Sequence, residues 1–401
     1  MNEDTPVGQR IRYWRKRRKL SQATLAGLVG RSVSWIEKVE RGDRLVERVP
    51  VIIALAAALR IDPARLLGPP FELKENGAAG EPPRGVPALR RILLVPDALP
   101  PHRHPTTIDL QALNTTLERA RLARYHGRYT EFGLLLPDLI ADARTAVHHP
   151  DPEQARFAWA ILAGAYQLAA KLCARLREND LAWIAADRSA SAAHRAGDPA
   201  LVGQAVARLA HAVLVAGNSE ACATVAEQGA LALGKDLNAP SRIATWGHLQ
   251  LVGMIAAARL DDAATERALL RRAWDAAERL PQGYVEPWTA FCGGNVAFHE
   301  ISAAYDSGDP LKALRVAEDV ELDWLPWRQR QARTLIDVAR SHNLRRDDPA
   351  TVKALLQAER ISGEELRYHI TVREVVRVML RREQRSLTPG LRGLAERMGV
   401  E

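Results

Sequence analysis

Arg31, Ser34, Lys38 and Arg41 recur at three- and four-residue spacing, with Val33 and Glu37 four apart beside them, which gathers them on one outward side of a single short helix. Two arginines, a lysine, a serine hydroxyl and a carboxylate can recognise a partner by charge and hydrogen bonding. No nucleophile stands beside a base among them, so the chemistry they offer is binding. A short helix carrying such a face between basic flanks suits the DNA major groove, where base edges present distinct donor and acceptor patterns.

That helix needs a second one to hold it at a fixed angle, and residues 21–42 supply both. Ser21 is placed as the N-cap of the first helix, with Gln22 as its opening residue. Leu25, Ala26 and Val29 make its buried stripe, and Gly30 ends it. Ser32 caps the second helix, Ile36 and Val39 point inward, and Gly42 stops it. Upstream, Ile11, Trp14 and Val7 give another helix an inner face. The stretch 10–19 also carries Arg10, Arg12, Arg15, Lys16, Arg17, Arg18 and Lys19. A fourth helix is expected at 49–59 on Ile52, Leu55, Ala56 and Leu59, and a short fifth from Pro63 to Leu67.

In order and residue type, Val7 to Leu67 resembles the Cro/phage-repressor type helix-turn-helix of the XRE family. Ser-Gln, Leu-Ala, Gly, Ser, Ile and Glu-Arg-Gly stand in register. Lys19 stands where the family usually has glycine, the Pro-Ser before the fourth helix is missing, and that loop is about one residue longer. The resemblance implies a five-helix, lambda-repressor-like module bound to double-stranded operator DNA. It also implies that Val33, Ser34 and Lys38 face base edges with Ser32 at the cap, while Gln22, Arg31 and Arg44 face phosphate. Lys38 would then donate to guanine, and Val33 would touch a thymine methyl.

Charge separates this module from the rest. Residues 1–68 hold 14 Lys and Arg against 7 Asp and Glu, a net +7 of the chain's total of +8. A polyanionic partner is therefore expected at the N-terminal end. Residues 69–105 contain nine prolines, with Gly77, Gly80 and Gly85 among them, and read as a linker in which Ala88–Val95 can form one or two helical turns. The expected organisation is therefore 1–68 for DNA binding, 69–105 as linker, and 106–401 as a helical repeat domain.

From Thr106 onward the pattern is helix after helix, so the expected fold class is all-α. Junctions fall near Gly197-Asp198-Pro199, Asn238-Ala239-Pro240, Leu280–Gly283 and Leu325-Pro326, with turns between them at Asn179-Asp180, Gly217-Asn218, Asp261-Asp262, Gly308–Pro310 and Asp347–Pro349. A helix pair repeating in this way is the mark of an α-solenoid. Trp159-x-x-Leu162-Ala163-x-x-Tyr166 resembles the first helix of a tetratricopeptide (TPR) repeat, and the residues from about Ile361 to Glu401 are expected to cap the array. First helices of successive repeats line a groove, and His211, Trp246, Gln250, Asn295 and His299 are the candidates to line it and hold a ligand. An N-terminal module joined to such repeats resembles bacterial peptide-sensing regulators and large actinobacterial regulators.

Other patterns carry no chemistry. Gly229–Asp236 fits a phosphate-loop spacing but has Asp236 where Ser or Thr must bind magnesium. His102, His104, His148 and His149 lack closed zinc spacing. Cys173, Cys222 and Cys292 are odd in number and far apart, as in a reduced cytoplasmic protein. The polar start of the chain does not read as a signal peptide, and the apolar run Val49–Leu59 is too short to span a bilayer. The expectation is a cytoplasmic transcription regulator with no enzyme activity, cofactor, metal or membrane partner. Its partners would be operator DNA, a second copy as homodimer, and a signalling peptide or small metabolite. The alternative is a TPR adaptor that holds a regulatory protein, with the N-terminal module as DNA tether.

Overall fold

Aspartate or asparagine followed by an alanine-rich apolar run starts a helix, and one left-handed residue ends it. This rule builds most of the chain. We describe a computed structural model, for residues 6–44, 46, 49–59, 61, 66, 85–97, 108–324, 326–381 and 388–400. The described residues form α-helices and one 3-10 turn at Leu322–Trp324, with no strand among them. They fall into two compact units, residues 1–81 with 301–319 and 331–401, and residues 82–300 with 320–330.

The N-terminal module comprises α1 (Val7–Arg17), α2 (Gln22–Leu28), α3 (Val33–Arg41) and α4 (Val49–Leu59). Ser21 Oγ accepts from Thr24 N at 2.9 Å and Ser32 Oγ from Trp35 N at 3.2 Å, so both expected caps form. Ile11, Leu25, Ile36, Leu55, Leu59 and Leu66 are fully buried in one cluster, with Trp14 and Val29 partly buried against it. The expected fifth helix lies outside the described residues apart from Leu66. Lys19 has φ 56°, the left-handed conformation that glycine adopts most readily.

Next come α5 (Val86–Leu94), then α6 (Leu110–Tyr125), α7 (Tyr129–Ala146), α8 (Pro152–Arg175), α9 (Asn179–Ala196), α10 (Pro199–Val215), α11 (Ser219–Leu233), α12 (Pro240–Arg259) and α13 (Ala263–Glu278). From α6 on, each packs on the next, and α6–α8, α8–α10 and α10–α12 also touch, so the first helices of successive pairs run side by side. After an irregular segment come α14 (Gly293–Asp306), α15 (Pro310–Glu318), α16 (Arg328–Leu344), α17 (Asp348–Ile361) and three short helices, α18 (Gly363–Arg367), α19 (Ile370–Arg381) and α20 (Leu391–Met398).

One turn joins the two helices of every pair. The middle residue is left-handed at Gly127, Arg177, Gly217, Asp261, Gly308 and Arg346. The next residue's N–H closes back on the carbonyl five positions earlier, as in Asn218 to Val213 (3.2 Å) and Asp262 to Ala257 (3.0 Å), the Schellman closure of a helix end. That same residue then caps the second helix in four pairs, as Asn218, Asp262, Asp309 and Asp347. The array is thus a repeat in backbone geometry where its side chains have diverged.

Within the expected linker, α5 packs on α7. Asp97, just beyond it, accepts from Tyr166 Oη at 2.6 Å and lies 3.2 Å from Arg144 and 3.4 Å from Arg188. Helix α8 alone is long and apolar enough to cross a membrane among the described residues, but 78% of its most apolar stretch is buried inside the protein, as for a core helix. Burial pushes the Cys173 and Cys222 thiols up to about 12, which leaves them protonated and unreactive.

Candidate functional site

Helix α3 is held from beneath by a buried ion pair. Arg15 of α1 donates to both oxygens of Glu40 of α3, at 2.6 and 2.8 Å, and to the Leu20 carbonyl at 2.8 Å. Gln22, the first residue of α2, donates to Glu40 at 2.9 Å. One carboxylate therefore ties three helices, and its hydrogen bonds hold the Arg15 guanidinium charged. Beyond α3, Arg346 donates to the Asp43 carbonyl at 3.3 Å.

The face above this clamp is open. Val33 is 41% exposed. Arg31, Ser32, Ser34, Glu37, Lys38, Arg41 and Arg44 are exposed too, while Ile36, Val39 and Glu40 are buried. The Arg31 guanidinium lies over the Trp35 ring, 5.8 Å from its centroid. The basic stretch of α1 divides. Arg12, Lys16, Arg17, Arg18 and Lys19 are exposed, but Arg10 and Arg15 are buried and leave the expected cationic surface. Arg15 sits four residues from Ile11, on the inner face, a spacing that already places it inward.

The second candidate is a polar face on the first helices of the repeat. Helix α8 presents Gln167 and Lys171, α10 presents Gln204 and Arg208, α12 presents Thr245 and His248, and α14 presents Asn295 and His299. Each pair is spaced three or four residues apart, so each shares one side of its helix. Arg330 at the start of α16 donates to Asn295 Oδ1 at 2.8 Å and to His299 Nε2 at 2.8 Å. His299 Nδ1 lies 2.8 Å from the Asn295 carbonyl. A neutral His299 with its proton on Nδ1 satisfies both contacts. The His248 and His299 rings meet edge to face at 6.0 Å.

The segment 281–292 crosses back over these helices. Glu286 accepts from Gln204 at 2.9 Å and from Trp288 N at 3.2 Å. The Pro287 carbonyl takes Arg121 at 3.0 Å and the Tyr125 hydroxyl, and the Trp288 carbonyl takes Lys171 at 3.3 Å. Tyr125 also stacks on Trp327 at 4.6 Å.

The face is strongly cationic. Burial, then Arg124, Arg208 and Arg330, push the Lys171 ammonium well down, with Glu286 opposing. Burial and Arg124 lower Arg208 to about 9. Burial, His299 and the surrounding cations push His248 down and keep it neutral. Burial raises the Glu286 carboxyl to about 7 against the pull of Trp288 N–H, Arg121 and Lys171.

Of the expected groove residues, Asn295 and His299 are brought together on this face. His211 is half-buried on α10. Trp246 is half-buried and packs against a cluster of Ala207, Leu233 and Leu249. Gln250, one turn on from Trp246, is buried. His248, two residues from each, is the residue that α12 turns inward. Polar pairs inside alanine-rich helices were the available signal for Gln167, Lys171, Gln204 and His248. Glu286 lies outside the regular helix pairs and Arg330 stands at the start of α16, so neither gave one.

Residues 6–67 match the model of a helix-turn-helix domain family. The protein carries a helix-turn-helix DNA-binding domain. No curated protein matches the chain. Among solved structures, the chain is similar to Bacillus thuringiensis PlcR in complex with the peptide PapR7 and DNA, with 10% identity and a TM-score of 0.37 over 89% of this chain and 98% of that one.

Proposed function

We propose that the protein is a sequence-specific transcription regulator. In this reading α3 reads operator DNA, and the helical repeats bind a peptide or small-molecule signal and hold two copies together. The observation that carries it is the exposed α3 face fixed from below by Arg15, Glu40 and Gln22. Val33, Ser34 and Lys38 are assigned to base edges, and Arg31, Arg44 and the Gln22 end of α2 to phosphate, with Ser32 as the cap. The Gln22 amide already holds Glu40, so its backbone N–H at the helix start is the group left for phosphate.

Operators selected from random duplexes, followed by fluorescence anisotropy, test this reading. Lys38→Ala should cost about 1–3 kcal/mol and relax preference at one base pair, whereas Arg31→Ala should weaken all sequences alike and reduce the salt slope by about 1. Unchanged affinity and preference in Lys38→Ala would overturn the assignment. One module touches few bases, so two half-sites and a dimer are expected. A monomer in light scattering at micromolar concentration would count against that part.

A further inference from the structure

Two other buried arginines hold carboxylates: Arg15 grips Glu40, and Arg340 donates to Asp337 at 2.9 Å. Arg208 differs from these two. It is 7% exposed, its Nε has no hydrogen-bond partner, and the cations Arg124 and Lys171 bear on it, with the Tyr125 phenol opposing them. The one buried carboxylate of the region, Glu286, is taken by Gln204 and Trp288 N.

Arg208 is not alone. Gln167 Nε2, His248 Nδ1 and Asn295 Nδ2 are also buried without a partner, on the same faces of α8, α12 and α14. Asn295 is 1% and His248 8% exposed. All four atoms are nitrogens able to donate, His248 when its proton sits on Nδ1. Buried donors left unmade are costly and call for acceptors. An acceptor that also brings one negative charge answers the donors and the cation together.

We propose that Gln167, Arg208, His248 and Asn295 form a binding site for a carboxylate, with Arg208 as its counter-charge, taking a peptide C terminus or a small carboxylic acid. A carboxylate matches because its two oxygens fit the planar guanidinium fork. Its single charge also balances the Arg208 guanidinium. Arg330 and Lys171 are already engaged with Asn295, His299 and the Trp288 carbonyl, so they contribute field and shape. The proposal rests on reading the helical repeats as a signal-binding domain.

Native mass spectrometry and thermal melting of the full chain test it with three probes. These are a pool of random heptapeptides built without Asp or Glu, the same pool as C-terminal amides, and a panel of aliphatic and aromatic monocarboxylic acids. Free acids should be retained and amides should not; which acid arm binds identifies the source. Arg208→Gln should weaken binding roughly 10- to 100-fold without lowering the melting temperature of the unliganded protein. Asn295→Asp keeps the acceptor for Arg330 but replaces the donor with a negative oxygen, and should abolish binding even where Arg208→Gln folds poorly. Equal binding of amides and acids overturns the carboxylate assignment and leaves the signal-binding reading standing. Retention of no probe, or unchanged binding in both variants, overturns the proposal, and operator affinity of the same preparation reports separately on α3.

Discussion

Replacing Arg208 by methionine should stabilise the unliganded protein. Burial and Arg124 lower the guanidinium from its ordinary 12.5 to about 9. A folded-state pKa below the unfolded value means that folding disfavours the charged form. The penalty is therefore present in full at neutral pH, where the group is charged in both states. At about 1.4 kcal/mol per unit, the upper bound is about 5 kcal/mol. Methionine keeps most of the apolar stem and its contacts, and exchanging a buried charge for a hydrophobic isostere gains about 1–4 kcal/mol. Near the middle of that range, about 2 kcal/mol raises the melting temperature of a unit of this size by about 4–8 °C. Scanning calorimetry of the full chain at neutral pH, beside Arg208→Lys as the charge-retaining control, measures it. A methionine variant that melts several degrees below the wild type would refute the reasoning, because it would mean that the guanidinium has a partner in the folded protein.

Glu40→Gln should destabilise the N-terminal module by about 3–5 kcal/mol, since it leaves Arg15 buried without its counter-charge; denaturation followed through Trp14 and Trp35 fluorescence reports it, and a loss below about 1 kcal/mol would show the pair to be dispensable. The Glu286 carboxyl, raised to about 7, takes up a proton on folding between its ordinary 4.5 and that value. Its contribution to stability therefore falls by about 3 kcal/mol as pH rises through this window; urea titrations across it should show a slope that Glu286→Gln flattens, and an unchanged slope in that variant contradicts the assignment. Gly217→Ala, at φ 98° in a hairpin turn, should cost about 1–2 kcal/mol, readable as a lower urea midpoint, and a neutral outcome would mean that the turn rearranges.

The module at residues 7–59 was legible because its signals are local. Ser21, Ser32 and Gly42 cap or stop helices through neighbours three to five residues away, and Leu25, Ile36 and Leu55 declare their burial by period alone. The hairpin repeat was legible for the same reason, since Asp or Asn caps the second helix in four of the pairs. What escaped were partnerships set by distance along the chain. Arg15 and Glu40 are 25 residues apart, and Gln204 and Glu286 are 82 apart. No local pattern marks Arg15 as one half of a pair with Glu40.

Helix α12 shows where periodicity stops deciding. Trp246 and Gln250 form an aromatic and amide pair at one-turn spacing, the type of pair that suits peptide recognition, and His248 lies between them in sequence but on the opposite side of the helix. Both sides carry a plausible stripe, so spacing identifies two faces without ranking them. Neighbouring helices do the ranking. Ala207 of α10 and Leu233 of α11 offer the Trp246 indole an apolar seat, and covering part of so large a ring is favourable. With Trp246 in that seat, His248 is turned toward His299 and the Arg208 side of α10. A tryptophan placed for stability thereby fixes which polar residue α12 contributes to the cationic face.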